Sequence, residues 1–236
     1  MRAWWVIVRK ELELYFVTPV AYVSIAVFWA ASGFFFSFNA LFVSAVEMVT
    51  AFHNMSLLLM LMLPLMSMRC FAEERQSDTY ELLQSLPVGD GVVVAAKFCA
   101  LLFVVLLMLT GSGGAVLVLM LYAEPDLGPI VGGYAGVLLL AAAFSGIGVF
   151  LSSLARSQLV AAVLTWGVLL FLWFVDYTAA LAPASPLVPW IQHLSFSVQY
   201  LDLIRGVITL SASACFLSVA AISLVAATQW LKWSRS

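Results

Sequence analysis

Six long apolar stretches limit what this chain can fold into. They run from about Val20 to Val43, Phe52 to Met68, Phe98 to Tyr122, Ile130 to Leu151, Leu159 to Val175 and Ala212 to Leu231. Each is long enough to cross the hydrocarbon core as a helix, the form that satisfies its own backbone where no water can. No alternating strand pattern competes with that reading. Composition removes the soluble alternative: 64% of the 236 residues are hydrophobic and 9% are charged, against roughly 25% charged in a soluble domain. The expected fold is an all-α integral membrane protein, one domain over residues 1–236 with six transmembrane helices and no room for a separate soluble domain.

Basic residues orient the spans. Arg2, Arg9 and Lys10 precede the first; Arg69, Arg75 and Lys97 lie between the second and third; Arg156 lies between the fourth and fifth; Lys232 and Arg235 follow the sixth. These alternate with connections that carry none, leaving Arg205 as the exception, so both termini are expected in the cytoplasm. Residues 1–18 are too charged to span. Trp4, Trp5, Val8, Leu12, Tyr15 and Phe16 form one helical stripe, with Arg2, Arg9 and Glu13 opposite. That pattern predicts an amphipathic helix lying flat at the interface and ending at Pro19. A cleaved signal is not expected, because Arg9, Lys10, Glu11 and Glu13 interrupt the apolar region it would need.

Small residues mark where helices meet closely in lipid. Gly132, Gly133, Gly136, Gly146 and Gly148, with neighbouring alanines, do so on the fourth span. Gly111, Ser112, Gly113 and Gly114 do so midway along the third, where a flexible hinge is the alternative. Cys70, Cys99 and Cys215 have no metal-ligand spacing and read as small buried hydrophobes.

The connection over residues 69–97 holds five of the chain's twelve acidic residues, Glu73, Glu74, Asp78, Glu81 and Asp90, with Arg75 among them. The segment predicts a short charged helix stopped by Pro87 and a turn at Gly89-Asp90-Gly91. A solvated connector is the plainer alternative. The run Met68-Arg69-x-Phe71-Ala72-Glu73-Glu74-Arg75, then Thr79-x-Glu81-Leu82-Leu83, Leu86-Pro87-Val88 and Lys97, resembles the cytoplasmic loop of ABC-2 type permeases. Leu151-Ser152-Ser153-Leu154-Ala155-Arg156-Ser157-Gln158 is similar to that family's fourth-to-fifth connection, and Arg205-Gly206-Val207-Ile208 to its Arg-Gly motif. Thr209 stands where the pattern leads one to expect Asp. The resemblance covers essentially the whole chain and is closest to the gliding-motility (GldF) and nitrous-oxide-reductase-maturation (NosY) branch.

The resemblance implies a dimer of permeases, homo- or heteromeric, bound to two copies of a cytoplasmic ATPase in a bacterial inner membrane. This chain lacks a G-x-x-x-x-G-K-[ST] phosphate loop. No cofactor is therefore expected on it, and ATP and Mg would be bound by the ATPase. Glu73, Glu74, Arg75, Thr79 and Glu81 become the expected ATPase-coupling residues. Met55, Met62 and Met66 on the second span, with Phe171, Trp173 and Phe174 on the fifth, are the expected cavity or dimer lining; a thioether site for Cu(I) is the alternative for the methionines. Residues 176–209 are expected to be an extracytoplasmic segment with short re-entrant or interfacial helices. Asp202, Arg205 and Gly206 form its motif, with a local Asp202–Arg205 ion pair, and His193 serves as an interfacial hydrogen-bonding group. A periplasmic accessory protein is a further candidate partner; nucleic acid is not. A secondary transporter is disfavoured, since the apolar runs hold almost no ionisable residues and Asp176 is near an end. Nothing resembles an intramembrane enzyme site. An ATP-driven mechanical complex that moves no solute is the remaining alternative.

Overall fold

The computed structural model describes residues 2–39, 48–77, 88–122, 127–181, 195–207 and 209–234. All regular elements among them are helical: α1 (Arg2–Val17), α2 (Pro19–Phe38), α3 (Met48–Ser67), α4 (Ala72–Gln76), α5 (Asp90–Tyr122), α6 (Leu127–Leu154), α7 (Gln158–Leu181), α8 (Phe196–Ile204) and α9 (Leu210–Trp233). Six of these, α2, α3, α5, α6, α7 and α9, are long and apolar enough to span a membrane. The main boundary change is in α5, which starts at Asp90 instead of Phe98, so Lys97 is helical and not part of the connection. α7 likewise continues to Leu181, beyond the expected Val175.

The α1–α2 break follows from proline chemistry. Thr18 is extended (φ −91°, ψ 148°) and Pro19 opens α2, where its missing N–H costs nothing. α1 has a different inner face from the expected stripe. Ile7, Val8, Glu11 and Tyr15 are buried, and α1 packs along α5 and more lightly on α2. Trp5 stays exposed. The expected stripe shares Val8 and Tyr15 with this buried face, which is covered by the bundle itself.

α6 is the central span, packed against α3, α5, α7, α8 and α9, and is the most buried of the six. Its small residues make this possible. A Cβ on Gly146 would lie 3.0 Å from the Cα of Ala220 in α9, and one on Gly136 would lie 2.8 Å from the Cβ of Leu203 in α8. At Gly133 a Cβ would overlap the Phe52 ring. The expected close helix contact on this span is thus present. Gly146→Leu should separate α6 from α9, since the obstructing atoms are backbone. The expected cost is about 1–3 kcal/mol, visible as a lower unfolding temperature of the purified protein in detergent. An unchanged temperature would show that the contact tolerates expansion.

α5 continues unbroken through Gly111–Gly114. Gly111 instead receives the Trp29 ring of α2, whose Nε1 donates to the carbonyls of Leu107 (3.2 Å) and Met108 (3.0 Å).

Candidate functional site

The chain reversals bring α1, α4, the start of α5, the end of α6 and the start of α7 to one end of the bundle. α4 begins five residues after α3 ends, and its turn is held by side chains from several directions. Ser152 of α6 accepts hydrogen bonds from the backbone N–H of Phe71 and of Ala72, both at 3.1 Å, and donates to the Met68 carbonyl at 3.0 Å. One buried hydroxyl thereby satisfies three main-chain groups that the break between α3 and α4 would leave exposed to an apolar interior. Ala72 sits beneath the turn with Ala155 and Ala161.

Charged residues add further ties. Arg69 grips Glu73 with two bonds, Nε to Oε2 at 2.6 Å and Nη2 to Oε1 at 2.9 Å, and its Nη1 donates to Thr18 Oγ1 at 2.9 Å. A bidentate pair of this kind fixes orientation as well as distance. Glu74 turns inward, and Lys97 Nζ lies 2.9 Å from Glu74 Oε1 and 2.9 Å from Glu11 Oε1. The same ammonium stands 5.1 Å from the centroid of the Phe71 ring, a favourable position for a cation. Tyr15 of α1 donates to the Met66 carbonyl at 3.2 Å and lies 3.5 Å from Cys70 Sγ. Burial, aided by Cys70, pushes the Tyr15 hydroxyl well above its ordinary range, so it acts as a neutral donor.

The expected coupling residues therefore occupy different environments. Glu73 is half-buried and held by Arg69; Glu74 is engaged inside; Arg75 is half-buried. Gln76 and Ser77 are exposed. Thr79 and Glu81 lie outside the described residues. The first two sequence motifs meet in space, through Ser152 and the Phe71–Ala72 turn. Glu11, Tyr15, Lys97 and Ser152 were not among the site residues expected from sequence. Glu11 did carry a signal, since it falls between Val8 and Tyr15 on the apolar side of an amphipathic helix.

Along α3, Met55 and Met66 are buried within the protein and Met62 is partly buried. Met55 reaches a cleft of about 520 Å3 between α2 and α5, walled by Ser32, Phe36, Gly111 and Gly114. Trp173 is buried against Phe144 and Tyr200, with His53 nearby (ring centroids 6.5, 6.0 and 5.9 Å). Phe171 and Phe174 are exposed on α7. The lining residues thus divide into internal packing and outward-facing groups. Asp202 and Arg205 are both exposed and form no ion pair with each other among the described contacts. An i,i+3 spacing in contact with water gives little reason for one. Gly206 has a backbone reason for its identity: its φ is +84°, and a Cβ there would meet Pro129 Cα at 2.7 Å. Residues 182–194, including His193, lie outside the described structure.

Residues 16–228 match the family model described as ABC-2 family transporter protein. No curated protein matches the chain closely enough to count as a relative. The match extends from the α1–α2 junction to the last turns of α9, taking in the six spans and the α4 region alike. The chain therefore belongs to the ABC-2 transporter family, as a multi-pass membrane permease subunit of an ABC transporter.

Proposed function

We propose that this permease works in an exporter, coupling ATP hydrolysis by a separate cytoplasmic ATPase to movement of a substrate across a bacterial inner membrane. The supporting observation is the construction of α4. Gln76 and Ser77 at its end are exposed, while the turn before it is bound to α1, α5 and α6. A docking element of this form receives force at one end and conveys it through ordered contacts. Arg9, Lys10, Arg69, Arg75, Lys97, Arg156 and Lys232 lie on or beside helix ends gathered at the same end, which supports a cytoplasmic placement for α4 and both termini. Two permeases, identical or different, with two ATPases would make the working unit. On the motif resemblance, the gliding-motility and nitrous-oxide-reductase-maturation branch is its nearest group. Glu73, Glu74 and Arg75, with Thr79 and Glu81 further along the connection, form the proposed coupling segment.

Cross-linking tests this reading. A photo-cross-linking residue at Gln76 should capture an ATPase subunit in native membranes, whereas one at Val207, exposed at the opposite end, should not. A small membrane-impermeant thiol reagent added to intact spheroplasts should label Val207→Cys but not Gln76→Cys in a cysteine-free background. The reverse labelling would invert the orientation. Co-purification of an ATPase without capture from Gln76 would remove α4 from the contact. Absence of any associated ATPase would reject the ATP-driven reading.

A further inference from the structure

Three buried charges lie where α1, α4 and α5 meet. Lys97 is 2% exposed at its side chain, Glu11 7% and Glu74 15%. Its ammonium lies 2.9 Å from one carboxylate oxygen of each and faces the Phe71 ring. Arg9–Glu13 and Arg69–Glu73 are i,i+4 pairs, whereas both pairs ending on Lys97 join separate elements. Stability alone does not account for such a cluster, because well-packed apolar replacements of buried ion groups are often as stable or more so. Directional bonds between charged groups provide something apolar packing does not: a fixed relative position for the bonded elements.

We infer that Lys97 is a positioning residue for energy coupling, joining α4 to both α1 and α5 so that displacement of α4 moves them together. The inference rests on the ATPase-coupled reading of α4. Ser152 and Arg69 secure the turn to α6 and to the α1–α2 junction, but the described charged link from α4 to α5 runs through Lys97. Without it, movement at the α4 tip would be absorbed between α4 and α5 before reaching the other end of the bundle. Glu74 is the α4 side of this connection and Glu11 its extension to α1.

The test uses the permease with its co-purifying ATPase, reconstituted in liposomes. One readout is the ratio of ATP hydrolysis by the complex to that of the free ATPase. The other is the nucleotide-dependent change in spin–spin distance between labels at Leu121 and Val207, exposed residues at the end opposite α4. The neutral triple variant Glu11→Gln, Lys97→Met, Glu74→Gln leaves no unpaired charge. It should retain the ATPase, bring the hydrolysis ratio to unity and lose the distance change. The inverted variant Glu11→Lys, Lys97→Glu, Glu74→Lys, which rebuilds the triad with opposite signs, should recover both signals. If the neutral variant does not fold, Glu74→Gln alone, which retains the Lys97–Glu11 pair, should reduce both signals in the same way. Full coupling in the neutral variant, or in Glu74→Gln when that variant is needed, overturns the inference alone. Loss of ATPase binding overturns it too, by assigning the charges to docking. A wild-type permease that retains no ATPase overturns the coupling reading and this inference together.

Discussion

Lys97→Met should be among the most destabilising single substitutions in the protein, lowering unfolding free energy by about 3–5 kcal/mol. The substitution preserves much of the side chain's apolar volume but removes the charge between Glu11 and Glu74, which then face each other in a site shielded from water. The neutral triple variant removes all three charges, so its cost should be near zero, as for other buried ion clusters replaced by uncharged groups. Thermal unfolding in detergent, without nucleotide or ATPase, separates these effects from coupling. Equal stability of the single and triple variants would show that Glu11 and Glu74 do not behave as buried charges.

Ser152→Ala should have the second large effect, although it deletes one oxygen atom. The hydroxyl serves the N–H groups of Phe71 and Ala72 and the carbonyl of Met68. Leaving a buried donor or acceptor unsatisfied costs about 1–3 kcal/mol, and three groups depend on this side chain. Local adjustment will satisfy some of them, so a total loss of about 2–4 kcal/mol is expected. Hydrogen exchange gives the localised test: the amides of Phe71 and Ala72 should lose protection while those in the middle of α6 retain it. Protection unchanged at both amides would mean that Ser152 is dispensable for holding the turn.

The spans were legible because lipid imposes a length and composition on any chain that crosses it. The glycines of α6 were also legible as contact positions, though not which helices they meet: Ala220 is distant in sequence from Gly146 yet nearly touches it. Lys97 was misread for a physical reason. A lysine beside an apolar run ordinarily marks its water-facing end, but here its partners lie 86 and 23 residues away. Periodicity within a segment carries no information about such pairings. Glu11 was legible in principle, as a carboxylate on an apolar face, whereas Ser152 offered only its place in a motif. Asp202 and Arg205 are the converse: close spacing indicated a bond that two exposed side chains do not form.

The close approach of α6 to α9 has a consequence for biogenesis. α6 leaves the ribosome before the helix that supplies Ala220 has been made. Until α9 enters the bilayer, the groove at Gly146 must face lipid or another temporary neighbour. A chain shortened before Leu210 would keep that groove uncovered, and a quality-control protease could distinguish it from a finished permease by this bare surface. Closure of this groove is thus tied to the synthesis of α9.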